Sequence, residues 1–451
     1  MSSDTLIEPA AQPAGPVQRA PLFALYAANT ISAVGDVLMF IAVPWFVLQT
    51  TGSVVQTGLA AFFSTAAVAA SALLGAPIVD RFGFRRASVV SDLASAASVA
   101  LIPLLYETVG LPFWALLLLV FLAGLLTTPG ATARAAMVPD LAEIARVRLE
   151  RASAASDGAT RISRFIGAPL AGVLIAFIGP GNLLWIDALS FAVSALVIGR
   201  AVPALLPALL PTRPAASDAA TGETAPRRFL ANLRAGFAFI RHDPILFWPI
   251  LVVLVTNLLD AGNSEVLLPV FVKDTYGTAI WLGAMVAATG GAAFLGTVVF
   301  GAIGHRLPRR LTLGIAFTIG GSFRPFVTVG FAAQPFVLVA LFAVCGFFIG
   351  AINPIFDTVA YERIPVALRA RVFGVLTAGA MLGSPLGGLV AGGIVPIIGI
   401  TTALLLFGAV YFVATTSLLV NPALKGMDAP PSSPMSSATP ATPATPASDD
   451  D

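Results

Sequence analysis

The 451-residue chain is 57% hydrophobic and only 11% charged, with a formal net charge of +2. Soluble domains carry about a quarter charged residues, so these charges are too few to coat a globule of this length. They are also spread over loops rather than pooled, which excludes a nucleic-acid surface. The apolar residues come in runs of about 20, enough to cross hydrocarbon as a helix, without the alternating strands of a β-barrel. The fold class this leaves is an all-α polytopic membrane protein.

Residues 1–20 are polar and rich in Pro and Ala. They lack a basic segment ahead of a short apolar core, so they read as a loose cytoplasmic tail rather than a signal peptide. Twelve spans are predicted, the first six at about 22–49, 55–79, 87–106, 112–134, 156–178 and 182–202. The second six fall at about 245–272, 279–303, 311–332, 335–357, 370–395 and 400–420. They form two six-helix bundles, 21–202 and 245–420. Between them lies a cytoplasmic linker, 203–244, containing the basic, amphipathic stretch Arg227–Arg241. From 421 to 451 the chain becomes Pro/Ser/Thr/Ala repeats ending in three aspartates, a composition expected to stay disordered.

Arginine collects on alternate loops. Arg81, Arg85 and Arg86, then Arg146, Arg148 and Arg151, the linker arginines, Arg306, Arg309 and Arg310, and Arg363, Arg369 and Arg371 share one side. The opposite loops hold Lys273 alone, so the positive-inside rule puts the arginine-rich side and both termini in the cytoplasm. Lys273 and Lys425 are the only lysines, against heavy use of arginine and alanine, which points to a GC-rich bacterial genome and a bacterial plasma membrane.

The two halves repeat each other. A basic loop, Gly75-Ala-Pro-Ile-Val-Asp-Arg-Phe-Gly-Phe-Arg-Arg86, joins the second and third spans, and a degenerate copy, Gly301-Ala-Ile-Gly-His-Arg-Leu-Pro-Arg-Arg310, joins the eighth and ninth. The fifth span carries Gly167-Ala-Pro-Leu-Ala-Gly172 and the eleventh Gly383-Ser-Pro-Leu-Gly-Gly388, at matching places in a duplicated six-span unit. Gly379, Gly383, Gly387 and Ala391 make one smooth stripe on which another helix can pack, while Pro169 and Pro385 can kink their spans. Tight packing accounts for these segments as well as a hinge does.

The first basic loop resembles the signature loop of the major facilitator superfamily, Gly-x-x-x-Asp-Arg-x-Gly-Arg-Arg in form. Gly75 stands five rather than four positions before Asp80, and Phe84 takes a place that is often basic. In the second copy His305 replaces the aspartate. The resemblance extends over nearly all of residues 20–420. Gly35-Asp36, Ala42-Val-Pro-Trp45 and Ile186-Asp-Ala-Leu-Ser-Phe191 look like the branch of macrolide, multidrug and enterobactin exporters. It implies a latch at the cytoplasmic ends of the two halves, made by Gly75, Asp80, Arg81, Gly83, Arg85 and Arg86. The Gly-Pro segments are similar to the antiporter motif of drug exporters, with Ser163 where that motif has an upstream glycine.

A charge in hydrocarbon costs about 2.5–3.5 kcal/mol or more, so ionisable groups inside spans mark functional candidates. Asp36 lies near the middle of the first span, with Asn29 seven residues earlier on the same face; Asn257, Asp260 and Glu265 lie in the seventh. In the family these two spans line a central cavity, which makes Asn29 and Asn257 candidates to line it. Asp260 and Glu265 are about 140° apart on an ideal helix and are not expected to face the same way. Glu265 matches an acidic position of similar exporters; Asp36, Glu265 and Asp260 are the proton-coupling candidates. A structural carboxylate bonded to a neighbouring helix is the alternative for each. Asp187 reads as structural. Arg134, with Arg161 and Arg164, is expected at the cytoplasmic ends of spans four and five, in a latch or at headgroups. Arg324 sits mid-span in the ninth without an evident partner.

The single cysteine, Cys345, cannot form an intramolecular disulfide. His242 and His305 stand at the membrane edge without ligands at metal spacing, no phosphate-binding loop occurs, and no catalytic constellation is recognisable. No enzyme activity, cofactor or metal is expected. The resemblance implies a two-bundle transporter exporting an amphiphilic drug or metabolite in exchange for protons. Its expected partners are that small molecule, protons and membrane lipids, and it is expected to act as a monomer. An importer or uniporter of a small nutrient is the first alternative, opposed by the few polar side chains in the spans. A non-transporting sensor is the second, opposed by the short linker and tail.

Overall fold

The computed structural model describes residues 18–203, 234, 236–365 and 368–427. The tails 1–17 and 428–451 and most of the linker, with Arg227, lie outside the described residues, as do the side chains of Gly75, Asp80, Arg81, Arg164 and Arg371. The rest is helical, without a strand among the described residues.

In chain order the helices are α1 Ala20–Thr51, α2 Val54–Phe82, α3 Phe84–Thr108 and α4 Phe113–Ile144. The run Leu149–Ala201 breaks at Gly179 into α5 (149–178) and α6 (180–201). Then follow α7 Pro244–Tyr276, α8 Ile280–Ile303, α9 (309–330), α10 Pro335–Arg363, α11 Arg369–Ile398 and α12 Ile400–Val420. Ten segments are each long and apolar enough to cross a membrane. The division at Gly179 and the addition of α9, whose helix is interrupted, bring the count to twelve. Large apolar side chains cover the outside: Phe177 and Ile397 are each 80% exposed. Such a surface is tolerable against lipid and aggregates in water.

The duplication is written in the backbone. Gly179, between α5 and α6, and Gly399, between α11 and α12, adopt φ/ψ of 81°/161° and 81°/160°. This region is open to glycine and closed to side chains, so the same chemistry makes the same sharp junction in each half. Gly52 and Gly277, ending α1 and α7, repeat a left-handed cap at φ 65° and 68°.

Two helix pairs make the most extensive contacts between the halves: α2 with α11, and α5 with α8. Both contacts are glycine on glycine. A Cβ on Gly58 would stand 2.8 Å from Gly392 Cα, and one on Gly172 would stand 2.9 Å from Gly283 Cα. All four glycines lie within about two turns of the helix ends remote from the chain termini. There, too, Lys273 Nζ of α7 donates to Leu48 O of α1 at 2.5 Å. The remote end is therefore where the halves are drawn together.

One expectation for the tail is corrected. Pro422–Met427, placed in a structureless segment, form a 3-10 turn with Leu424 and Met427 buried, and Gly426 O accepts from Arg363. Two apolar side chains with a cavity to fill outweigh the disorder that composition suggests.

Candidate functional site

The basic loops have a role inside each bundle. Arg85, at the start of α3, donates to Gly199 O at the C-terminal end of α6. Arg310, at the start of α9, donates to Leu418 O at 3.1 Å and to Leu419 O, at the C-terminal end of α12. A helix C-terminus presents unpaired carbonyls and negative dipole, and each half supplies the same arginine to it. Arg85, expected in a latch between the halves, is thus engaged within its own half. Gly83 carries a positive φ of 75° as the N-cap of α3, and Arg86 is exposed.

Arg134 requires a second correction. It does not lie at the membrane edge: it is 2% exposed, and its Nη1 binds both carboxylate oxygens of Asp92 at 2.7 and 2.9 Å. Asp92, on α3, is wholly buried and also accepts from Ser194 of α6 at 2.7 Å. Arg134 reaches α1 through Ser32 Oγ at 3.0 Å and Asn29 Oδ1 at 3.3 Å, and Asn29 Nδ2 donates to Thr160 of α5 at 3.1 Å. One network thus ties α1, α3, α4, α5 and α6. Asn29, a candidate cavity residue, has its amide oxygen and nitrogen both taken up here. The sequence marks Asp92 only by its cost in hydrocarbon and does not join it to Arg134.

The C-terminal half holds its own pair. Arg324 of α9 binds Asp260 of α7, and Tyr411 Oη of α12 donates to Asp260 Oδ2 at 3.2 Å. Gly321 leaves room for the Tyr411 ring, which occupies the space a Cβ there would need. Asp260, Asn263, Gly321, Pro325 and Tyr411 border a cavity of about 10 Å³, room for a single water. Arg324, without an evident partner in the sequence, is thereby explained, and Asp260 is committed to an ion pair. In the N-terminal half the pair ties the third helix to the fourth, and in the C-terminal half it ties the first to the third.

Glu265 is different. α7 passes through a π-turn at Asn263–Leu267 and α9 through another at Thr318–Ser322, one on each side of the Asp260–Arg324 pair. Such turns interrupt helices most often at functional positions. The first holds Glu265 on a stretch that packs against α11 and α12 and, across the halves, against α1 and α2. Glu265 is 6% exposed, and among the described residues no hydrogen bond or ion pair reaches its carboxyl. An unpartnered carboxylate at such a place is costly where the neutral acid is not. Asn257, two turns back on α7, is half-buried, as is Asp36 on α1.

The Gly-Pro segments divide their labour alike in both halves. Gly167 packs on Val37 of α1, while Gly172 packs on Gly283 across the halves. On α11, Gly383 and Gly387 face α7 at Leu254 and Leu258, while Gly388 faces Gly58 and Ala61 of α2. Gly379 has a looser contact, with Ile250 of α7 at 4.0 Å. Pro169 and Pro385 lie inside α5 and α11, each two residues beyond the glycine that meets the first helix of its half.

Comparison with known proteins agrees with this geometry. The family model described as Major Facilitator Superfamily matches residues 25–323 and 256–447. The multidrug efflux pump Tap of Mycobacterium tuberculosis strain H37Rv is 30% identical over 420 residues, covering 92% of this chain and 96% of that protein. The enterobactin exporter EntS of Citrobacter koseri is 26% identical over 380 residues, covering 82% and 84%. Among solved structures, the nucleoside transporter NupG superposes with a TM-score of 0.65 at 14% identity, covering 88% of this chain and 98% of that one. The peptide transporter POT in complex with sulfate gives 0.65 at 13%, covering 90% and 95%. At such identity the likeness is one of fold.

Proposed function

The chain belongs to the major facilitator superfamily, and from that premise we propose that it is a secondary exporter of amphiphilic drugs or metabolites driven by proton entry. It is a multi-pass membrane protein, and its curated relatives are efflux pumps for small molecules. The observation that carries the proton-coupled reading is Glu265, a buried carboxyl without a partner among the described residues, on the stretch of α7 that touches the other half. Duplicated folds of this kind place cargo between the halves and work by rocking about it.

In this scheme the chain termini face the cytoplasm, and the glycine contacts of Gly58 with Gly392 and Gly172 with Gly283 form the closed external gate. Cargo enters from the cytoplasm, and its arrival favours release of the proton from Glu265 to that side. The halves then rock, the external gate parts, and cargo leaves. A proton taken from outside neutralises Glu265 and lets it return to the apolar contact seen here, since the neutral acid is far cheaper to bury than the carboxylate. Asp80 and Arg81, with Gly75, Gly83 and Arg86, latch the cytoplasmic ends in the alternate state. Asn257 lines the path on the α7 side. The chain acts as a monomer among membrane lipids.

The test uses inside-out membrane vesicles acidified within by respiration. Amphiphilic drugs and siderophores are added singly while an acid-trapped fluorophore reports proton release. A few compounds are expected to restore fluorescence in wild type and none in Glu265→Gln. Silence across the panel, with folded protein shown in the vesicles, would overturn proton-driven export.

A further inference from the structure

The remote ends of α1 and α7 are copies of one segment. Pro44-Trp-Phe-Val-Leu-Gln-Thr-Thr-Gly-Ser53 closes the first helix, and Pro269-Val-Phe-Val-Lys-Asp-Thr-Tyr-Gly-Thr278 closes the seventh. Pro, Phe, Val, Thr and Gly fall at the same places, and a hydroxyl residue follows each glycine. The glycine N–H donates four residues back in both copies, from Gly52 to Leu48 O at 3.1 Å and from Gly277 to Lys273 O at 3.0 Å. Leu48 and Lys273 therefore hold one place in the repeat. There the copies part, with Leu-Gln in the first and Lys-Asp in the second.

The contact across the halves falls on that same place. Each helix C-terminus carries partial negative charge on its last carbonyls. On α1, Thr50 and Thr51 donate to Phe46 O and Val47 O, both at 2.7 Å. Leu48 O has a second lone pair beyond its bond from Gly52, and Lys273 Nζ donates to it at 2.5 Å. The side chain at one copy's variable place thus binds the main chain at the other's. Lys273 also lies in the last turn of α7, so its ammonium offsets the negative ends of both helices. It is half-buried, and no acid pairs with it among the described residues; Asp274 beside it is exposed. A leucine here, as in the first copy, would leave two negative ends adjacent without a charge between them.

We propose that Lys273 fastens the remote closure: its ammonium on the α1 terminus sets how long the halves stay together there, and it lets go before they part. The glycine contacts at that end supply close packing without polar bonds, whereas this bond is directional and is lost once the helix ends separate by a few ångströms. The inference rests on reading the remote end as a gate that opens. It does not rest on Glu265 or on protons.

The test measures distances between spin labels at Val109 and Ala333, exposed positions in remote loops of the two halves. It uses the purified full-length chain in lipid nanodiscs, with Cys345 replaced and with neither cargo nor a proton gradient, so failure of the export assay does not bear on it. Lys273→Met keeps an unbranched side chain and removes donor and charge; it is expected to raise the ratio of separated to closed remote ends about tenfold. Lys273→Arg can still donate to Leu48 O and is expected to keep the wild-type distribution. A distribution unmoved by Lys273→Met, or moved as far by Lys273→Arg, would overturn the proposal. A second measurement leaves position 273 intact: in Gly283→Val a membrane-impermeant amine reagent is expected to modify Lys273 several-fold faster than in wild type. Equal rates would also overturn it.

Discussion

Three carboxyls in this chain meet three different fates, and partners decide among them. Asp92 is held by Arg134 and Ser194, Asp260 by Arg324 and Tyr411, while Glu265 has neither cation nor donor among the described residues. Removing one partner of a buried pair leaves the other charged and unpaired, so Arg134→Ala is expected to destabilise the protein by about 3–5 kcal/mol. Ser194→Ala, which leaves the pair intact, is expected to cost about 1–2 kcal/mol. Unfolding by denaturant in detergent measures both, and equal costs would mean that Asp92 does not depend on Arg134. Tyr411→Phe deletes one bond to a carboxylate whose side chain is 35% exposed, and about 1 kcal/mol is expected in the same assay. Much of this residue chemistry was half legible. Each buried charge can be found in the sequence by its cost in hydrocarbon, yet pairing depends on which helix faces lie together. Asp92 and Arg134 are separated by a loop and most of two helices, and nothing in their spacing joins them. Arg324 looked solitary for the same reason.

Among the elements, glycine fixes where helices meet and arginine fixes where they end. The sequence showed the Gly-Pro segments of α5 and α11 but not the glycines they press against, because Gly58 and Gly283 belong to no Gly-Pro segment and no glycine stands four residues from either. Both π-turns were also invisible, since Asn263–Leu267 and Thr318–Ser322 differ in sequence and share only the insertion they make in the helix. The basic loops were visible as charge, which determines orientation, but a C-terminal carbonyl as their target cannot be read from charge. Arg85→Ala and Arg310→Ala are each expected to lose about 1 kcal/mol of stability, through the end of α6 and of α12 respectively. Hydrogen exchange localises the effect, and fraying elsewhere would refute the capping role. Gly283→Val places a branched side chain where Gly172 Cα and Ala168 O already lie. It is expected to hold the remote ends of α5 and α8 apart. Spin labels on α2 and α11 at that end, in a chain whose only cysteine, Cys345, is replaced, are expected to show a longer distance; an unchanged distance would remove the glycines from the gate.

At the scale of the molecule, the all-α membrane fold and the family were legible, because they depend on length, apolar content and internal repetition. The state was not. Which end is closed rests on glycine contacts and on Lys273 reaching Leu48 O across the halves, and no local pattern encodes those. In the proposed cycle each bundle is braced by its own ion pair and moves as a body, while Glu265 at the seam ties the position of the halves to its proton. The most direct measurement reconstitutes the purified chain into liposomes, imposes an acid interior, and follows uptake of ethidium, whose permanent charge prevents passive trapping by pH. Wild type is expected to accumulate the dye above protein-free liposomes, to lose that accumulation when nigericin collapses the gradient, and to show none with Glu265→Gln. Accumulation that survives the collapse, or that Glu265→Gln retains in full, would contradict proton-coupled export through Glu265.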